Sequence, residues 1–521
     1  MKKNGNLTFF LLILCLMISG FLQYWEYSTR QVILNDGATY IRDGELFARG
    51  CVRSTELIGG TSVVSFGVGY PLLIALFGKV IGNFESGAHL VAAFSALFIV
   101  IAAFFTIRKL IGVEAALLAS AMFAFNSYTT LHGALASRML PFFLCAIFQI
   151  YYSLLVLESG NGRDLFFLAF WSGLSYSIRL EGIFIFAISL AVILLSGFSK
   201  LVFKRKSACS EAESHKIELF ALSRTIIVSI LLFFLFSSPY IAMRIYAGEN
   251  PLIECSATGK MNSVQAASDV TTMIKSRILH YGKQFFYNFT GKFHDRILPR
   301  LFPAAVIFLS GAGFVLLLSK RASIPMYFSI VFILTTVCFC FLEIFEYEKR
   351  YFAFLIYPAY FLSSYALIEI REIVKRKNAF LGNLVLIVLF LAVIGPEIKQ
   401  TAQNCLVENK NQTIVLKSAG EWLAKEHSPD TVSAFFSLPA YYSGARKWTG
   451  NPIGSLDDVA DRLRVQGCKF VIIDSIGAKQ KNKDLLTLAF GREDAPGLEL
   501  LKSFQEQIGD ENFQASVYRV R

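Results

Sequence analysis

Three polar side chains near the start of the chain stand at helical spacing. Asp36, Tyr40 and Asp43 lie at i, i+4 and i+7, so a helix over this stretch carries all three on one face. Asn35-Asp36-Gly37-Ala38-Thr39-Tyr40 opens a helix-like segment running to about Arg49. A carboxylate at its start meets the positive end of the helix dipole, which favours the ionised form. An ionised carboxylate just above a membrane suits a general base for an acceptor hydroxyl. The same Asp36 also serves as a helix cap without chemistry, and the spacing admits both readings. Asp43 is the alternative base.

The cations are spread more widely. Arg138 precedes an apolar run, and Arg179-Leu180-Glu181-Gly182 breaks two short ones, where Arg179 and Glu181 can also simply pair across a tight turn. Residues 247–300 carry Lys260, Lys275, Arg277, His280, Lys283, Lys292, His294, Arg296 and Arg300. Within them, apolar residues at 270, 274, 278, 281, 285 and 289 recur at helical spacing. This predicts a basic amphipathic helix on the membrane surface, either touching lipid headgroups or clamping a lipid phosphate through Arg277 and Lys283. Arg350 and Tyr351 begin a further span, where they serve a phosphate or anchor the helix at the headgroups.

The elements that must position these groups are membrane spans. The chain has 521 residues, 55% hydrophobic and 17% charged, with mean hydropathy +0.53. A soluble protein carries nearer a quarter charged residues, so the chain reads as a polytopic α-helical membrane protein. A bilayer core needs about 20 apolar residues per helix. Segments of this kind cover 7–23, 67–82, 88–107, 113–131, 139–157, 165–179, 182–199, 224–246, 301–319, 324–342, 351–369 and 379–395. Loop 200–223 holds Lys200, Lys204, Arg205, Lys206 and Lys216 and marks the cytoplasmic side; Arg108–Lys109, Lys320–Arg321 and Arg371–Lys377 do the same. Counting outward from these loops places 24–66, 247–300 and the tail from Pro396 outside. Segment 67–82 then cannot cross, and its Gly-Tyr-Pro start and Lys79 suit a re-entrant or juxtamembrane helix; the alternative is that 67–82 spans and 165–199 holds a hairpin that does not. The expected architecture is about 11 transmembrane helices plus that helix. Residues 1–395 form the membrane catalytic domain, with outer loops 24–66 and 247–300, and residues 396–521 form a small extracytoplasmic α/β domain. In the tail, helices are expected at 413–427 and 456–466, and strands at Thr431–Ser437, Lys469–Asp474 and Ala515–Val520.

Composition also excludes. The net charge of +12 arises largely from basic residues flanking apolar spans, so nucleic-acid binding is not indicated. The nine cysteines form no CxxC or Cys/His pattern, and neither a metal site nor a haem is indicated. Residues 7–23 follow Lys2 and Lys3 without a convincing small-residue cleavage site and read as an uncleaved first span.

The order of these residues resembles the GT-C superfamily of polyprenyl-phosphate-sugar-dependent glycosyltransferases, and within it the family 39 group of protein O-mannosyltransferases and aminoarabinose lipid A transferases. Asp36 to Tyr40 resembles the acidic motif of its first loop, and Gly69-Tyr70-Pro71 through Gly82 its juxtamembrane segment. Ala136-Ser137-Arg138-Met139-Leu140, Ser177-Ile178-Arg179-Leu180-Glu181-Gly182 and Lys349-Arg350-Tyr351 with Tyr357-Pro358 resemble its arginine motifs. Ala419 to Leu423 and Pro439 to Arg446 look like the soluble domain of bacterial members. The chain departs from the family in two places: Asn35 stands where a second acidic residue is usual, and Tyr70-Pro71 replaces a proline pair.

The resemblance implies a donor whose sugar is joined through phosphate to a polyprenyl chain, and an acceptor that is a lipid, a glycan or a protein. Asp36 would deprotonate the acceptor hydroxyl, and attack on the anomeric carbon would invert it. Tyr40, Asp43, Arg138, Arg179, Glu181 and Tyr351 would line the substrate site, and Arg277, Lys283 and Arg350 would receive the departing phosphate. The resemblance implies no cofactor or catalytic metal. It places the protein in a bacterial inner membrane with the site on the extracytoplasmic side. The alternative is a lipid-linked saccharide flippase. It fits the cations but lacks the internal repeat that many transporters show.

Overall fold

In the computed structural model the described residues are 3–29, 33, 35–51, 67–205, 212–247, 303–320, 355–407, 413–449, 452, 455–491, 495–508 and 511–521. The expected span 324–342, the outer loop 247–300 beyond its first residue, Arg277, Lys283, Arg350 and Tyr351 lie outside them.

The membrane part is helical: α1 Lys3–Thr29, α2 Asn35–Ala48, α3 Gly69–Ile81, α4 Phe84–Ile111, α5 Val113–Phe125, α6 Ser127–Ala134, α7 Met139–Ser159, α8 Gly162–Ile178, α9 Gly182–Arg205, α10 Ala212–Ala247, α11 Ala304–Ser319, α12 Ile356–Lys375 and α13 Ala379–Val407. Among the described residues five helices are long and apolar enough to cross a membrane: Asn6–Thr29, Phe84–Ile111, Met139–Ser159, Ser223–Tyr246 and Ala379–Cys405. Helix α4 shows how its sequence sets its ends. The Asn83 side chain accepts from the Ser86 N–H at 2.8 Å, Glu85 stands in the first turn, and Arg108 and Lys109 in the last. Each charge opposes the helix dipole favourably. Ala88, Ala92, Ala96, Ala102 and Ala103 are buried along α4, and small side chains let neighbouring helices approach closely.

Helix α3 has 13 residues, about 20 Å at 1.5 Å per residue, and falls short of a bilayer core of about 30 Å. It turns through Gly82 and Asn83 directly into α4. The stretch 113–131, read as one span, is divided at Asn126, whose backbone is extended and whose side chain caps α6 through the Thr129 N–H at 2.9 Å. The divide is held from far along the chain. Glu397 accepts from Ser127 N (2.8 Å), Ser127 Oγ (2.7 Å), Tyr360 OH (2.8 Å) and Asn126 Nδ2 (3.2 Å). Helix α13 carries Glu397 because it runs through Pro396 to Val407, past the position where the tail was expected to begin.

The tail builds a five-stranded sheet in the order β2-β1-β3-β5-β4, from β1 Thr431–Ala434, β2 Lys447–Trp448, β3 Phe470–Asp474, β4 Leu498–Ile508 and β5 Glu511–Val520. Strand β1 runs parallel to β2 and β3, while β5 is antiparallel to β3 and β4. All five residues of β3 are buried, as expected of a central strand covered on both faces. Helices α14 Thr413–His427 and α15 Ser437–Tyr442 lie between the sheet and the membrane part, with α15 against α2.

Removing the Glu397 carboxylate leaves several buried donors without an acceptor, each costing roughly 1–3 kcal/mol. Glu397→Ala is expected to lower thermal stability in detergent clearly, and Glu397→Gln, which keeps one carbonyl oxygen, by less. A Glu397→Ala protein that melts with the wild type would show that this network does not hold the break at Asn126.

Candidate active site

Four of the motifs meet at one end of the bundle, and glycines permit two of the approaches. A Cβ at Gly37 would lie 2.9 Å from the Ala136 carbonyl oxygen, so the first turn of α2 sits directly on the segment before Arg138. Gly67, at φ +90°, would bring a Cβ to 2.5 Å from the Ile178 carbonyl oxygen. The turn into α3 therefore rests on the residues before Arg179. Positive φ and close backbone contact are both conditions only glycine meets cheaply.

On this frame the predicted side chains assemble. The Arg138 guanidinium lies over the Tyr40 ring at 5.3 Å, and Tyr40 packs edge-on against Tyr70 at 5.5 Å between centroids. Arg179 donates through Nε to Glu181 Oε1 at 3.0 Å and through Nη2 to the same oxygen. Its Nη1 reaches Met139 Sδ at 3.0 Å, and its guanidinium lies over the Phe142 ring at 5.6 Å. Arg138, Arg179 and Glu181 are all buried. Burial pushes the Glu181 carboxyl up, but the charges of Arg179 and Arg138 and the Arg179 hydrogen bonds outweigh it and hold Glu181 well below the usual carboxylate range. The pair expected across this turn thus takes in a third member, Arg138.

The two aspartates of α2 part company. Asp36, in the first turn, is exposed, whereas Asp43 is 2% exposed. Burial drives the Asp43 carboxyl well above its usual range, and the opposing charge of Arg42 does not cancel this. A carboxyl whose charge is disfavoured by burial makes a poor base, and of the two candidates only Asp36 is exposed to an acceptor.

Two further features were not anticipated from sequence. Arg244 is fully buried near the end of α10, donating through Nη1 to Tyr240 OH at 2.9 Å. Its interruption of the apolar run 224–246, four residues after Tyr240, was the available signal. Arg42 and Glu45, on the α2 face opposite Asp36 and Tyr40, pair at 2.9 Å and line a cavity against the tail.

Residues 67–209 match the family model for dolichyl-phosphate-mannose-protein mannosyltransferase. The structure is similar to that of ArnT from Cupriavidus metallidurans bound to undecaprenyl phosphate, with a TM-score of 0.56 at 11% identity over 97% of each chain. The same protein in the apo state gives 0.58 at 12% identity, again over 97% of each chain. The chain has the fold of the ArnT structures. It is an integral membrane protein. No curated protein matches its sequence.

Two stability predictions follow from the titrating groups. Glu181, held low, contributes stability that is present above the ordinary carboxylate range of about 4 and is lost as pH falls through its depressed value. Arg179→Gln should cost roughly 3–5 kcal/mol, as for one partner of a buried pair, and move acid unfolding to higher pH. An unmoved acid limb would mean Arg179 does not hold Glu181 charged. Asp43, held high, contributes stability that is full below about 3.9 and lost as pH rises through its raised value. Asp43→Asn should therefore reduce the loss of stability as pH rises above the ordinary carboxylate range; a profile like the wild type's would show Asp43 to be ordinary.

Proposed function

We propose that this protein transfers a sugar from a polyprenyl-phosphate donor to an acceptor hydroxyl on the extracytoplasmic face, with inversion at the anomeric carbon. The mannosyltransferase family match and the ArnT-like fold support a polyprenyl-phosphate-dependent membrane glycosyltransferase. The undecaprenyl phosphate of the ArnT structure supports a lipid donor of the same kind here. The single observation that carries the reading is an exposed carboxylate, Asp36, whose helix is seated on the buried Arg138–Arg179–Glu181 cluster.

The acceptor oxygen attacks the anomeric carbon from the side opposite the phosphate, and Asp36 takes the hydroxyl proton. The bond between anomeric carbon and phosphate oxygen breaks, and its electron pair leaves with the polyprenyl monophosphate. The growing phosphate charge calls for cations rather than a proton. Arg277, Lys283 and Arg350 are proposed for that role, and Tyr351 for the substrate site. Tyr40 and Arg138 hold α2 in place through their ring–guanidinium contact, and Arg179 and Glu181 fix the turn beneath.

Loss of a positioned base typically costs about 100- to 10,000-fold in rate. Asp36→Asn should lose turnover on that scale while donor binding and the melting temperature hold, and Asp43→Asn should stay within a few-fold of wild type. Turnover measured with purified protein and a polyprenyl-phosphate sugar decides it. An active Asp36→Asn beside a dead Asp43→Asn would reassign the base.

A further inference from the structure

A cavity of about 320 Å³ lies between α2, the start of α4 and the tail. Its wall is made from both units: Arg42, Glu45 and Glu85 on the membrane side, and Tyr441, Arg446 and Trp448 on the tail side. We infer that this cavity is a saccharide-binding subsite that holds a glycan acceptor at a distance from the reacting hydroxyl. The inference rests on the transfer reading above and names its acceptor class.

The lining chemistry carries it. Trp448 donates its indole N–H to the Ala434 carbonyl at 2.9 Å, which fixes the ring while leaving it half-buried at the cavity wall. Tyr441 and Tyr442 pack edge-on at 5.2 Å, and the Tyr441 hydroxyl reaches Glu85 Oε2 at 3.4 Å. Sugar rings present apolar C–H faces that pack on such aromatic walls. Their neighbouring hydroxyl groups suit the two oxygens of a carboxylate or the fork of a guanidinium. Both planar ions line the cavity, the guanidiniums of Arg42 and Arg446 and the carboxylates of Glu45 and Glu85. Trp448 stands on the edge strand β2, but that strand is two residues long, too short to seat an extended peptide, whereas the aromatic and ionic lining suits a saccharide. The volume lies at the low end of small-ligand sites, and a seam between two packed units is a usual place for one.

Helix α2 sets the geometry of the acceptor. Ala38, Arg42 and Glu45 share the face turned to the cavity, while Asp36, Tyr40 and Asp43 lie about half a turn around the helix. Asp36 and Arg42 are also about 9 Å apart along the axis. A sugar in the cavity is therefore not the one that supplies the attacking hydroxyl. The acceptor must extend around the N-terminal end of α2, so it is an oligosaccharide rather than a monosaccharide. Contacts with a remote part of a substrate supply binding energy that orients the reacting end.

The test uses the full-length protein in nanodiscs on a printed array of bacterial envelope oligosaccharides. A parallel measurement follows release of polyprenyl phosphate from polyprenyl-phosphate sugars. The wild type should bind a defined set of oligosaccharides; Arg42→Gln and Trp448→Ala should weaken that binding at least tenfold, and Trp448→Phe should retain most of it. With a bound oligosaccharide as acceptor, the cavity variants should raise its KM more than they lower kcat and leave the donor KM unmoved. Should Trp448→Ala lower the melting temperature, Arg42→Gln and Glu85→Gln, on partly exposed side chains, carry the test. A blank array, binding indifferent to these variants, or loss of peptide rather than glycan binding would overturn the subsite. Glycan binding without any donor cleavage would instead overturn the transfer reading and leave the subsite standing.

Discussion

The structure hangs on one buried carboxylate held between two guanidiniums. Glu181 would be costly in an apolar surrounding on its own, and so would Arg138 and Arg179. Together they neutralise one another, and each guanidinium also rests on an aromatic ring, Tyr40 for Arg138 and Phe142 for Arg179. That cluster fixes the turn between α8 and α9 and the segment leading into α7. Helix α2 and the entry to α3 are then seated on those two segments by glycine contacts that no larger residue permits. The exposed Asp36 is thus carried on a short helix placed both by the charges beneath it and by its own apolar face, where Ala38, Ile41 and Leu46 are buried.

A second network restrains the same end of the bundle from another direction. Glu397, beyond Pro396 in α13, takes up the donors exposed where α5 gives way to α6. The segment from α6 to Arg138 is therefore tied at one end to α13 and at the other to Glu181. Such double restraint suits a site whose polar groups must be ready before substrate arrives, since preorganised charge needs no reorganisation during reaction.

Much of this was legible in local sequence. The helical spacing of Asp36, Tyr40 and Asp43, the Arg179–Glu181 turn and the helix at 413–427 all depend on neighbours in sequence, and the structure has them in those forms. What could not be read depends on distant partners. Nothing local tells Asp36 from Asp43; packing of α2 in the assembled bundle buries one and leaves the other in solvent. Asn126 looks like a lone polar residue in an apolar run until Glu397, 271 positions away, is beside it. Strand β4 escaped because a register irregularity between Leu500 and Lys502 interrupts the alternation that would announce it. The cavity face of α2 was hidden for the same reason, since half of its wall comes from the tail.

The buried charges hold in place the helix whose Asp36 is proposed to serve the breaking of a sugar–phosphate bond. The most direct measurement follows the fate of a donor in vesicles reconstituted with the purified protein. Polyprenyl-phosphate hexoses and pentoses labelled in the sugar would be supplied with an acceptor glycan, and both products analysed by mass spectrometry and NMR. The account predicts free polyprenyl monophosphate together with a glycoside of inverted anomeric configuration. A donor moved across the bilayer with its sugar still attached would contradict it.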